Sequence, residues 1–83
     1  MPTKNRDVIA ADGQIHVATG PRAVTFNFKK GVGEWSIETG ANEPPADGHW
    51  TGQEPISLEL GTGEMLYISG NGRLVITADA LEI

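Results

Sequence analysis

The groups able to do chemistry are few. Glu43, Asp47 and His49 share one segment, and carboxylates with an imidazole are legitimate metal ligands. Asp-x-His with no second histidine close by falls short of a ligand set, so no metal is expected. His16 stands on the polar side of an alternating stretch and reads as a surface or interface histidine, not a general base. A nucleophilic triad needs a buried, oriented set. The serines are Ser36, Ser57 and Ser69, there is no cysteine, and so small a sheet has little room for one. Glu34, Glu38, Glu59 and Glu64 have the residue type for paired-carboxylate glycoside cleavage. On alternating strands, outward glutamates instead make a solvated face. Gly31-Val32-Gly33 and Gly61-Thr62-Gly63 open no helix, so a phosphate cradle is not supported. The expectation is a protein with no catalytic residue and no cofactor.

The aromatic residues point to binding. Trp35 lies on the apolar side of its stretch and is expected in the core. His49 and Trp50 sit together in a long loop, where an exposed indole can stack on a sugar or anchor a contact. Tyr67 falls on a semi-apolar strand face that reads as an interface.

The elements that must position these residues have a period of two, not 3.6. Ile15 and Val17 alternate within residues 14–19, and Val24, Phe26 and Phe28 within 22–29. Trp35 and Ile37 do so within 34–39, and Ile56, Leu58 and Leu60 within 55–60. Residues 64–78 read as two strands around a glycine-rich turn. With a three-residue Gly70-Asn71-Gly72 loop, Leu66, Ile68, Leu74 and Ile76 share one face. Met65, Tyr67, Ser69, Arg73, Val75 and Thr77 share the other. Lys30-Gly31-Val32-Gly33 reads as a second turn. Residues 1–13 read as an extended arm, with a short strand over Val8-Ile9-Ala10-Ala11 as the alternative, and 14–83 as a single antiparallel β domain with a long loop at 40–54, in which Trp50-Thr51 is a candidate brief strand. The fold class is all-β: a small jelly-roll-like sandwich or partly open barrel of about six to eight short strands.

Eighty-three residues make one domain with a thin stability margin, and no disulfide reinforces it. Self-association is the remaining common reinforcement. The net charge is −5. Residues 1–33 hold Lys4, Arg6, Arg22, Lys29 and Lys30 against Asp7 and Asp12, or +3; residues 34–83 hold nine carboxylates against Arg73, or −8. An acidic chain repels phosphate backbones, so no nucleic-acid partner is expected. No apolar run reaches the ~18–20 residues that cross a bilayer, and residues 1–13 carry no apolar secretory core. The expectation is a product made in the cytoplasm without a leader, with no membrane partner.

Three features carry a resemblance: the polar start Thr3-Lys4-Asn5-Arg6-Asp7, the alternating strand over 22–29, and the ending Leu60-Gly61-Thr62-Gly63-Glu64-Met65-Leu66-Tyr67-Ile68-Ser69-Gly70. With these the chain resembles the small all-β virion proteins of tailed bacteriophages, of the head-decoration, head-fibre and tail-adaptor kinds. The resemblance implies a non-enzymatic structural protein, often a homotrimer, docked on a larger virion shell or tail protein. It brings no catalytic residues. Lys4, Arg6, Met65, Tyr67, Arg73 and Val75 are the expected interface, and His49 and Trp50 the possible ligand or receptor loop. The competing readings are a carbohydrate-binding module using exposed aromatics and a small cupin-like enzyme. The enzyme would want two or three histidines in a barrel; the chain offers His16 and His49.

Overall fold

The computed structural model describes residues 3–39 and 49–82. Six strands form one antiparallel sheet: β1 (Thr3–Val8), β2 (Ile15–Thr19), β3 (Arg22–Thr39), β4 (His49–Thr51), β5 (Ile56–Leu60) and β6 (Glu64–Ala78). A 3-10 turn, Ala10–Asp12, joins β1 to β2. The all-β class read from the period of two is what the chain adopts.

The central elements are the two long strands. β3 and β6 pair antiparallel from Val24↔Ala78 to Thr39↔Glu64. The free edge of β6 is covered by β2 near its start and β1 near its end. The free edge of β3 is covered by β5 along its first part and β4 along its second. The long strands are therefore flanked on both edges over part of their length, as in the rows Thr3–Thr77–Thr25–Ser57 and Ile15–Ile68–Trp35–His49.

The sheet folds over at the middle of β3 and β6, and its two halves pack face to face as a sandwich. The first half contains β1, β5 and residues 22–28 and 73–78 of the long strands. The second contains β2, β4 and residues 33–39 and 64–69. Val24, Phe26, Phe28, Leu74 and Ile76 from the first half and Val17, Leu66 and Ile68 from the second are all fully buried in one core. The edge of Phe26 meets Trp35 across the halves, with ring centroids 6.0 Å apart and planes at 73°.

Four glycines make the fold-over. Gly31 faces Gly72 and Gly33 faces Gly70. Gly31 (φ 79°) and Gly72 (φ 149°) have backbone conformations that side chains resist. A Cβ on Gly31 would overlap the Asn71 carbonyl, and one on Gly72 the Lys30 carbonyl. A bulge beside them, where the register shifts between Phe28 and Lys30, inserts one extra residue in β3. The inward set accordingly changes from even positions (24, 26, 28) to odd ones (35, 37).

Three sequence expectations are corrected here. Neither Gly70-Asn71-Gly72 nor Lys30-Gly31-Val32-Gly33 is a hairpin turn, because each segment continues through its own strand and pairs with the other. The N-terminal segment is no free arm: Thr3–Val8 is an edge strand in register with β6, and Val8 is buried. The loop expected over 40–54 ends earlier, since His49–Thr51 pairs with β3. Residues 40–48, with Glu43 and Asp47, lie outside the described residues.

Candidate functional site

Because β6 does not turn back on itself, the expected interface splits. Met65 and Tyr67 lie on the outer face of the second half, whereas Arg73 and Val75 lie on that of the first. Lys4 and Arg6 are exposed on edge strand β1, opposite the inward residues Ile76 and Leu74. Charged side chains at inward positions of an edge strand discourage another chain from pairing there. The six residues thus occupy three surfaces.

His49 and Trp50 are likewise separated. They are neighbours on a strand and so point to opposite sides. His49 is opposite Trp35, with rings 4.6 Å apart and tilted by 33°. Trp50 points outward opposite Glu34 and is 73% exposed.

The remaining chemical groups are mostly engaged in holding the strands together. His16 Nε2 is 2.7 Å from Thr19 Oγ1, and its ring lies 5.3 Å from Tyr67. The Tyr67 hydroxyl donates to Met65 Sδ at 3.9 Å. Glu64 accepts from the Gly61 N–H at the crossing from β5 to β6. Ser57 and Thr25 share a 3.0 Å hydroxyl bond, and Thr3 and Thr77 one of 2.8 Å. Register places Thr3, Thr77, Thr25 and Ser57 in a single row across the first half. Among the described residues no group of three or more His, Asp or Glu side chains could hold a metal ion. No helix there is long and apolar enough to cross a membrane.

Two surface depressions flank the fold-over. The first, of about 400 Å³, is on the outer face of the second half and is lined by Val32, Glu34, Trp50, Ser69 and Asn71, among others. The second, of about 730 Å³, runs between β1 and the bulge and is lined by Asp7, Val8, Ile9, Lys29, Lys30, Gly72 and Arg73. No family model matches the chain, and neither a curated protein nor a solved structure matches it. The surfaces themselves must therefore carry the functional reading.

In the second depression Arg73 donates to both Asp7 carboxylate oxygens, at 3.0 and 3.3 Å. That hydrogen bond first, and the guanidinium charge second, hold the Asp7 carboxyl below its ordinary value; the same contacts hold Arg73 above its own. Ile9, 54% exposed, forms an apolar wall beside Lys29 and Lys30. This basic groove was not legible in the sequence, since it needs β1 and the bulge of β3 side by side.

Proposed function

We propose that this chain is a non-catalytic assembly protein that self-associates and docks on a larger structure, as the resembling virion proteins of tailed bacteriophages do. The observation that carries the reading is the segregation of charge between the two halves. The first half and its bulge hold Lys4, Arg6, Arg22, Lys29, Lys30 and Arg73 against Asp7, Glu59 and, just past β6, Asp79, which pairs with Arg22 at 2.6 Å. The strands of the second half hold Glu34, Glu38 and Glu64 and neither Lys nor Arg.

A sandwich with one basic and one acidic side is complementary to itself in a head-to-tail sense. Such a contact joins two different surfaces, so it builds a ring where the rotation closes, and a filament where it does not, rather than a two-fold dimer. A trimer is the ring we favour. The groove between β1 and the bulge supplies the basic side, with Ile9 as its apolar anchor. The end of the second half that carries Glu38, Glu64, Met65 and Tyr67 supplies the acidic side.

Light scattering on a sizing column, over a dilution series at low and at high salt, tests the reading. The expected result is a multiple of the 8.8 kDa chain mass that falls toward the monomer as salt screens the contact. A monomer at every concentration and at low salt sinks the proposal.

A further inference from the structure

We propose that the smaller depression is a binding site for a neutral sugar ring. This inference goes beyond the assembly reading. It uses the end of the second half next to the fold-over, away from Glu38 and Glu64.

The site is built by strand register. Glu34 is directly opposite Ser69 on one side and Trp50 on the other, so hydroxyl, carboxylate and indole stand in one row on one face. Directly opposite residues hold their Cβ atoms roughly 5 Å apart. The next outward pair, Val32 opposite Asn71, borders this row at the fold-over. The Ala10 N–H donates to Asn71 Oδ1 at 3.0 Å, which fixes the amide. Its Nδ2 is then left as a donor. Among the described residues, neither the Glu34 carboxylate nor the Ser69 hydroxyl has a hydrogen-bond partner. Three unspent polar groups thus border one exposed indole. A volume of about 400 Å³ is in the range of small-ligand sites, roughly 300–1,000 Å³.

The chemistry of the lining selects the ligand class. The negative face of the indole attracts the slightly positive C–H groups on one side of a pyranose. The ring hydroxyls, each both donor and acceptor, then find an acceptor in Glu34, a donor in Asn71 and both in Ser69. Among the described residues no Lys, Arg or His lines the depression, so an anionic ligand gains nothing from them. A quaternary ammonium is best held by an aromatic cage. Trp50 is the one ring in this lining among the described residues, and the Asn71 and Ser69 donors would be wasted on a cation.

Amide and indole NMR of the labelled full chain, titrated with glucose, galactose, mannose and N-acetylglucosamine and with their short oligomers, tests this. Tetramethylammonium is run beside them. The expected result is saturable shifts at the Trp50 indole, Glu34, Ser69 and Asn71 with at least one neutral sugar. Those shifts are lost in Trp50→Ala, and affinity falls about tenfold in Glu34→Gln. The unchanged remainder of each variant's spectrum reports that the fold is kept. No saturable shift with any sugar overturns the proposal, as do shifts that survive Trp50→Ala or a response to tetramethylammonium alone. Loss of self-association would not, because the titration reads the groove in any oligomeric state.

Discussion

Gly31 lies directly opposite Gly72 where the two long strands fold over, and neither position has room for a Cβ. Gly72→Ala should therefore lose about 1–3 kcal/mol to backbone strain alone, with the overlap on the Lys30 carbonyl adding to it. Gly52→Ala is the control, since nothing lies within 4 Å of its added Cβ. Urea melts should separate the two widely. Equal midpoints would show that the fold-over does not depend on its glycines.

The Phe26–Trp35 contact joins the halves, and Phe26 is only 1% exposed. Phe26→Ala should cost about 3–5 kcal/mol, enough to threaten a domain of this size. Leu58, on the neighbouring edge strand β5, is only half-buried. Leu58→Ala should cost about 1 kcal/mol. Thermal or denaturant melts that rank the two in reverse would contradict the placement of the core.

Removing residues 1–8 should destabilise the domain rather than merely detach an arm. The deletion strips β1 from the edge of β6 and takes Val8 out of the core. Loss of Val8 burial alone is worth roughly 1.5–3 kcal/mol. A truncated chain with the full-length melting temperature would return the segment to the status of an arm.

The Asp7–Arg73 pair makes a pH prediction. The folded-state pKa of Asp7 lies below its ordinary value, so the stabilisation is present above the unfolded value of about 3.9. It is lost as pH falls through the lower, folded value. An NMR titration should give an Asp7 midpoint that moves up in Arg73→Gln. An unmoved midpoint would mean that the pair is not formed in solution. Both side chains are solvent-exposed, so the effect on overall stability should be small.

The strands and their faces were legible because burial imposes a strict alternation. Val24, Phe26 and Phe28, like Leu66, Ile68, Leu74 and Ile76, all point where the pattern puts them. The connections were not legible, because Gly-x-Gly between apolar runs has two physical solutions. One triplet alone makes a hairpin loop; two triplets facing each other make a tight double bend. Even positions stay inward along β6 under either solution, so parity there decides nothing. In β3 the inward set moves from Phe28 to Trp35, an odd step that a loop at 30–33 allows and a continuous strand accommodates only with an inserted residue. The sequence alone leaves both open, and the bulge between Phe28 and Lys30 is the one the chain adopts. The pairing of His49 with Trp50 as one site failed for a simpler reason: once the segment is a strand, neighbours face opposite ways. The row Ser69–Glu34–Trp50 needs a register that only the folded chain sets.

The long strands have a mechanical consequence. In a sandwich whose sheets are joined by loops, a pull on one sheet is taken up first by slack in the connections. Here β3 and β6 are themselves the connections, already extended and hydrogen-bonded to each other from Val24↔Ala78 to Thr39↔Glu64. Tension entering one half passes along two taut backbones into the other. The edge strands can peel away, but the two halves cannot part without breaking the β3–β6 ladder that both share. Once the edge strands have peeled, the paired long strands should give way together, as one brittle unit.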